Sequence, residues 1–301
     1  MSGNAAPALT VVVPSVNGWG DLRGCLEALD RERASLPMEV IVPERCGREV
    51  REAIASVFPW VRTLPVPVGT PIPVMRAAAF AAAVAPTVAV IEDHVLVPSG
   101  WVRRISEART DRARVVGGGV INAATRSTVD WAAFLCEYSQ SARSAPPGPA
   151  IWLTGNNTAY DRALLMEFQS EIASGRWEDH LHDAMRRRGV TLWSRPDIVV
   201  QHKKHYTIRE YAGQRFLISR AYAGTKLVDA DPVRRFAYVL RTLVLPPVLL
   251  WRIVTRTLRS GTLRVPLLRA LPLIAFFVIV WGAGEATGAL AGEGDALARV
   301  T

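Results

Sequence analysis

Several short polar stretches carry side chains whose types and spacing can do chemistry. Glu92-Asp93-His94 places carboxylate oxygens and an imidazole within one turn of chain, the ligands that suit a divalent cation whose partner is a phosphate. Thr154-Gly155-Asn156-Asn157-Thr158 pairs a glycine that allows close backbone approach with amides that both donate to and accept from hydroxyl groups. Trp177-Glu178-Asp179-His180-Leu181-His182-Asp183 holds five ionisable groups in seven residues, and Pro14-Ser15-Val16-Asn17 and Pro43-Glu44 add shorter polar turns. The five histidines, His94, His180, His182, His202 and His205, all fall in or near such stretches, and none lies in the apolar C-terminal segment.

The elements around these stretches explain why they can meet. Leu9 to Val13 is a continuous β-branched run ended by Pro14, and Asp21 to Leu29 follows with Leu22, Leu26 and Leu29 at helical spacing. Glu39 to Val42 repeats the strand signal, Val61 to Val68 is Pro-interrupted and extended, Arg76 to Val84 is an Ala-rich helix, and Thr87 to Ile91 is a further strand. Strands alternating with helices predict an α/β fold with a mostly parallel sheet and helices on both faces. In such sheets the ligand sits at the carboxyl ends of the strands, where Asn17, Glu44 and Glu92-Asp93-His94 fall. Leu181, Ala184 and Met185 share one helical face, which leaves Glu178 and Asp179 projecting from the first turn, and Gly189 is a helix stop.

Composition narrows the class. Over 301 residues, 50% hydrophobic and 21% charged side chains exclude disorder, collagen-like repeats and a small disulfide scaffold. A mean hydropathy of +0.15 is high for a purely soluble enzyme. The formal charge of +9 is confined: residues 203–269 hold 14 Lys or Arg against three acids, so the remainder is slightly acidic. Basic residues interleaved with Leu, Val and Trp suit an anionic lipid surface or anionic substrate and argue against nucleic acid as the partner. Cys25, Cys46 and Cys136 show no paired spacing, which suits a reducing compartment. Leu9 to Val13 is too short for a signal-peptide core and follows no basic residue, so the N-terminal domain is expected in the cytoplasm.

The last third reads as two apolar runs punctuated by arginine. Phe236 to Trp251 contains Arg241 and Pro246-Pro247, which predict a kinked helix lying in the membrane interface, with Trp251 at headgroup level. Ala270 to Gly284 is 15 residues without a charge, roughly 22 Å of helix, and spans a hydrocarbon core of about 30 Å only if Glu285 and the residues after it are drawn in. The expected division is residues 1–225 as the catalytic domain and 226–301 as a C-terminal membrane-attachment segment, associated or single-pass; a buried helical hairpin is the alternative for the latter.

The order of these motifs resembles the family 2 glycosyltransferases of the GT-A fold, of the membrane-associated bacterial type, over roughly residues 8–220. The resemblance implies an α/β, Rossmann-like GT-A domain that transfers a sugar from a nucleotide-diphosphate donor. Val11 to Asn17 is similar to the family's opening strand, so Pro14 and Asn17 would line the nucleotide; Glu44 matches an acidic residue contacting base or ribose. Arg76 stands where the family has Arg-Asn, with Ala77 in place of the Asn. The family's Asp-x-Asp metal motif, counted back from Trp101, falls on Glu92 and His94, with Asp93 between them among the donor-site residues. His202, after the Ile198 to Val200 strand, stands where the family often has a His, and would be a third ligand or contact a phosphate. The implied cofactor is manganese or magnesium. Thr154 to Arg162 resembles the stretch shaping the donor-sugar and acceptor pocket, which brings in Gly155, Asn156 and Asn157. Trp177 to Gly189 resembles the family's Glu-Asp helix, in which the second acid of inverting members is the general base; here that is Asp179, beside Glu178. Gln214-Arg215-Phe216 only partly matches the acceptor motif of processive polysaccharide synthases.

The leading expectation is a metal-assisted, inverting glycosyltransferase acting at the cytoplasmic face of a membrane on a lipid-linked or cell-surface glycan acceptor, in cell-envelope glycan synthesis. An alternative is a membrane-tethered sugar-nucleotide or glycan binding protein with a degenerate site. A hydrolase built from Glu92, His94, His180, His182 and His202 lacks supporting ligand spacing. A sugar nucleotidyltransferase would need a Gly-rich basic loop after the first strand, and Pro14 to Trp19 does not supply one.

Overall fold

A computed structural model describes residues 6–140, 146–261 and 263–301. By contacts the chain divides into two units, Met1–Ile121 with Arg143–Lys203, and Asn122–Ala142 with Lys204–Thr301. The break therefore falls at Lys203–Lys204, ahead of the 225/226 division expected from composition. Helix Ile208–Lys226 groups with the apolar C-terminal helices because it packs along Arg264–Ala291.

The first unit is an α/β domain around one sheet, with nine strands among the described residues: β1 Leu9–Val12, β2 Met38–Glu44, β3 Arg62–Pro65, β4 Thr87–Val90, β5 Val95–Leu96, β6 Val115–Asn122, β7 Gly148–Ala150, β8 Thr158–Asp161 and β9 Leu192–His202. Their order is β3-β2-β1-β4-β8-β6-β9-β5, with β7 on β9. The four strands β3, β2, β1 and β4 are parallel, as the alternation of strands and helices requires, with helices Trp19–Glu32, Arg48–Val57 and Ile72–Ala82 as the crossovers. The later strands add antiparallel pairings, β4 with β8, β6 with β8, and β9 with both β5 and β7. Core residues Val12, Ile41, Val88 and Val90 from the parallel strands pack with Leu164, Leu165, Leu181 and Met185. Burying Leu181, Ala184 and Met185 turns the first turn of helix Glu178–Arg187 outward, and the helix ends before Gly189, whose φ of 83° suits a residue without a Cβ.

The second unit is helical. Thr207 opens Ile208–Lys226 in a reciprocal pair with Glu210, and Asp231 caps Pro232–Ser260 by accepting from the Arg234 N–H at 2.9 Å. Pro232–Ser260 is one continuous helix of 29 residues with Pro246 and Pro247 inside it. Arg264–Ala291 runs for 28 residues, about 42 Å, which exceeds the roughly 30 Å core of a bilayer. It includes Glu285, which lies buried and accepts from Tyr238 Oη at 2.7 Å and Trp281 Nε1 at 2.9 Å. An internal acceptor for two neighbours is what allows an acid inside so apolar a helix. Gly284 and Gly288 let this helix lie close against the backbone at Phe216 and Arg220, where a Cβ would collide.

Candidate active site

The site forms at the carboxyl ends of the parallel strands. β1 ends into Pro14–Asn17, β2 ends at Glu44, and β4 ends into Glu92–His94. The antiparallel register of β5 on β9 pairs Val95 with His202, and the Lys203 N–H donates to the His94 carbonyl at 3.0 Å. Two residues 108 apart in sequence are thereby placed with their Nε2 atoms 2.9 Å apart. Glu92 Oε2 lies 3.3 Å from His94 Nε2, and one ligand atom from each of Glu92, His94 and His202 falls within 4.8 Å of the others. The three residues expected to hold the metal thus converge. His180 is not in this cluster, and His182 is buried against Tyr160, its Nε2 2.8 Å from the Tyr160 hydroxyl. Burial lowers the His182 pKa to about 4, so its ring is neutral. The five-residue hydrolase set is therefore not assembled.

Burial opposes charge on His94, but its hydrogen bonds to Asp93 and Glu92 and their charges outweigh it and raise the pKa to about 9. Glu92 is likewise held far below the usual carboxylate range: burial opposes ionisation, and His94, His202 and Arg76 overcome it. The cluster is a compact ionic site in low dielectric.

Asp93 differs from its expected role at the donor. It is 1% exposed and accepts from the Val16 N–H at 2.8 Å, the Asn17 N–H at 2.8 Å and Asn17 Nδ2 at 2.6 Å, while His94 Nδ1 lies 3.0 Å away. These partners hold its pKa down against the opposing effect of burial. Its carboxylate ties the turn after β1 to His94.

Glu44 is also turned inward: its side chain is fully buried, accepting from the Gly47 N–H at 2.6 Å and Arg51 Nη1 at 2.9 Å, so it closes its own turn. Asn157 is 1% exposed: its Oδ1 accepts from Trp101 Nε1 at 3.1 Å, and its Nδ2 donates to the carbonyls of Gly119 and Ile198, both at 2.9 Å. That fills the amide and fastens β6, β9 and the helix at Trp101 together. Pro14 is buried behind the turn, whereas Asn17 keeps partial exposure.

The second half of the site is built on helix Glu178–Arg187. Arg76 Nη1 donates to Glu178 Oε2 at 2.6 Å, an ion pair across 102 residues of chain. Gly155 lies directly beneath that carboxylate, and a Cβ there would overlap it. The neighbouring Asn156 donates from Nδ2 to Glu92 Oε2 at 3.1 Å, and its Oδ1 accepts from Thr154 Oγ1 at 2.7 Å. Residues 155 and 156 therefore link the ionic cluster to the Glu-Asp helix. A cleft opens beside them, lined by Arg76, Phe80, Gly155, Tyr160, Arg176 and Glu178. Asp179, on the same helical turn, has its pKa raised to about 6, first by burial and then by the charge of Glu178. A carboxylate with that pKa is ionised at neutral pH yet basic enough to take a proton. Arg176 was not anticipated: it belongs to no periodic run, and its approach to the cleft depends on the loop before Trp177.

Comparisons with known proteins bear on the fold. No family model matches the sequence, and no curated protein matches it. Among solved structures, the mannosyltransferase PcManGT from Pyrobaculum calidifontis, in complex with GDP-Man and Mn2+, superposes with a TM-score of 0.50 at 15% identity, covering 96% of this chain and 76% of that one. Residues 1–349 of TarS from S. aureus superpose at a TM-score of 0.52 with 12% identity, covering 89% of each chain. GalNAc-T7 with UDP, GalNAc and Mn2+ gives 0.51 at 14% identity over 66% of this chain, which spans 44% of that protein. The chain has the fold of the GT-A glycosyltransferases.

Proposed function

We propose that this protein is an inverting glycosyltransferase that moves a sugar from a nucleotide-diphosphate donor to a lipid-linked or cell-surface glycan acceptor at the cytoplasmic face of a membrane. The observation that carries the reading is the linkage of Glu92, His94 and His202 to the Glu178-Asp179 turn through Gly155 and Asn156. Similar structures were solved with GDP-Man or UDP and with Mn2+, which supports both a nucleotide-sugar donor and a divalent ion.

The donor set fits such an ion: one carboxylate and two imidazole Nε2 atoms, from Glu92, His94 and His202, would hold it. When bound, a divalent cation neutralises the charge that develops on the departing diphosphate. Asn17, partly exposed after β1, lies at the strand ends, where sheets of this kind take their ligands. Asp179 takes the proton from the acceptor hydroxyl, whose oxygen bonds to the anomeric carbon as the bond to the donor phosphate breaks. The diphosphate leaves with that electron pair, and attack from the opposite face inverts the configuration. Glu178, held by Arg76, keeps its carboxylate fixed beside the base.

Membrane attachment is supported by the second unit. Two helices are long and apolar enough to cross a bilayer, and only 17% and 33% of their most apolar windows are buried, unlike the core helix of a soluble protein. Leu243, Trp251 and Ile279 are largely exposed, and arginines flank them. The direct test is sugar transfer by the wild type and by Asp179→Asn. Loss of transfer with donor affinity retained supports the assignment, and full transfer by the variant rejects Asp179 as the base.

A further inference from the structure

The two long helices of the second unit are apolar, yet their packing leaves too little free helix to cross a bilayer. Along Arg264–Ala291 the contacts with helix Ile208–Lys226 advance in step. The Phe277 ring lies 4.6 Å from that of Tyr211, Gly284 meets Phe216 and Ser219, Gly288 meets Arg220, and Gly292 meets Gly224. Helix Ile208–Lys226 carries Arg209, Glu210, Arg215, Arg220 and Lys226, which a hydrocarbon core does not accommodate. In a crossing arrangement residues 277–291 would therefore stay outside the core. So would the part of Pro232–Ser260 beside them, where Arg235 donates to the Ala289 carbonyl at 3.3 Å and Thr242 and Pro246 meet Gly282. What remains of each helix, residues 247–260 and 264–276, is about 20 Å long, against a core of roughly 30 Å. Residues 252–269, at that end, hold five arginines and no acid, and Arg256 Nη1 donates to Gln140 Oε1 at 3.2 Å.

The same packing gives the helix pair one covered face and one bare face. Tyr238, Ile253, Ile274 and Phe277 are buried. Phe236, Leu243 and Trp251 on one helix, and Leu268, Ile279 and Leu290 on the other, recur at spacings of seven, eight and eleven and are each 60–73% exposed. Those spacings keep each set on a single side of its helix. Arg234, Arg241, Arg252 and Arg259 form a second exposed row beside the first, on a helix with no acid after its cap Asp231. An apolar stripe along the whole helix, flanked by arginines, suits a helix lying in the membrane interface. The stripe enters the acyl boundary, and the guanidinium groups reach anionic headgroups.

We propose that helices Pro232–Ser260 and Arg264–Ala291 form a monotopic docking surface for a bilayer containing anionic phospholipid, both lying in the plane of the interface and neither crossing. The proposal rests on the reading that the second unit attaches the protein to a membrane, and it names the mode of attachment and the class of lipid.

The test adds the full chain, diluted from detergent, to sealed vesicles of phosphatidylcholine alone or of phosphatidylcholine with phosphatidylglycerol. The wild type is expected to bind the anionic vesicles on the order of 100-fold more tightly, a preference that added salt reduces. Replacing Arg234, Arg241, Arg252 and Arg259 together by Gln is expected to remove the preference. Leu243→Glu combined with Ile279→Glu, both at exposed positions, is expected to weaken binding to either vesicle with helix content by circular dichroism unchanged. Topology is read in Arg264→Cys with a membrane-impermeant maleimide; Cys25 and Cys136 are buried, and the exposed Cys46 marks the face to which the protein was added. Cys46 and the introduced thiol are both expected to react in intact vesicles, with no further labelling after lysis. Labelling of the introduced thiol only after lysis would overturn the inference and leave membrane attachment standing. Equal binding to neutral and anionic vesicles would overturn the lipid class. Absence of binding to both would refute membrane attachment itself.

Discussion

Asn156 donates from Nδ2 to Glu92 Oε2 at 3.1 Å, joining the loop before β8 to the end of β4 across 64 residues. The residue before it, Gly155, makes room for the carboxylate of Glu178. Two adjacent residues thus set the distance between the Glu92-His94-His202 cluster and the Glu178-Asp179 turn.

Gly155→Ala tests that spacing. The added methyl overlaps the Glu178 carboxylate, so either Glu178 leaves Arg76 or the loop shifts and strains the Asn156 contact to Glu92. Sugar transfer is expected to fall by on the order of 100-fold, since displacements of about 1 Å at a reacting centre have that effect. Circular dichroism should show the fold retained. Unaltered kinetics would mean that the loop does not set the spacing.

Asp179→Asn tests the base and gives a signed pH dependence. With its pKa raised to about 6, Asp179 must lose its proton to work, so the rate should fall on the acid side with a limb near pH 6. The variant should lose about 100- to 10,000-fold in turnover and the limb with it. Folding stability moves the other way. The folded state keeps this proton to higher pH than the unfolded chain, so its contribution declines as pH rises from about 4 to about 6 and stays unfavourable above. Asparagine removes that effect, and the variant should be more stable by about 1–3 kcal/mol at pH 7.5 but not at pH 4. A lower melting temperature at pH 7.5 would contradict this.

Trp101→Phe separates framework from site. Trp101 is fully buried and supplies the donor to Asn157 Oδ1. Its loss should cost about 1–3 kcal/mol of stability by leaving a buried acceptor unpaired. Donor affinity, measured by calorimetry, should stay within about twofold, because both residues are buried and neither lines the cleft. A large loss of affinity at unchanged stability would restore Asn157 to the donor site.

Much of this was legible in the sequence, for identifiable reasons. The parallel strands announced themselves as β-branched runs, and Glu92, Glu178 and Asp179 stood out as acids at strand and helix ends. The convergence of His202 on Glu92 and His94 came only from a resemblance, since the register that makes it, Val95 opposite His202, leaves no local signal. Asp93, Glu44 and Asn157 looked like ligand-facing groups in the sequence, whereas the structure buries all three against their own turns and strands. A polar side chain after a strand looks the same whether it faces a ligand or accepts from its own turn. The extent of helix Arg264–Ala291 depended on whether Glu285 could be drawn in, and the sequence alone does not show that Tyr238 and Trp281 satisfy it.

That last trio makes its own prediction. Glu285→Ala leaves the Tyr238 hydroxyl and the Trp281 N–H without their acceptor and should destabilise the second unit by about 1–3 kcal/mol for each unpaired group. Glu285→Gln keeps an acceptor oxygen and should recover part of the loss. Thermal unfolding in detergent distinguishes the two; equal stability of all three proteins would mean that the trio contributes nothing.

The central claim is that the strand-end cluster binds a nucleotide-diphosphate sugar together with a divalent cation. The most direct measurement is a thermal-shift titration of the detergent-solubilised chain against UDP-, GDP-, dTDP- and CDP-sugars, each with and without Mn2+. A ligand that binds only the folded state raises its melting temperature. The account predicts stabilisation by one nucleotide class that requires the metal and disappears in His94→Ala. A folded protein that responds to none of these donors would contradict it and favour a glycan-binding protein with a degenerate site.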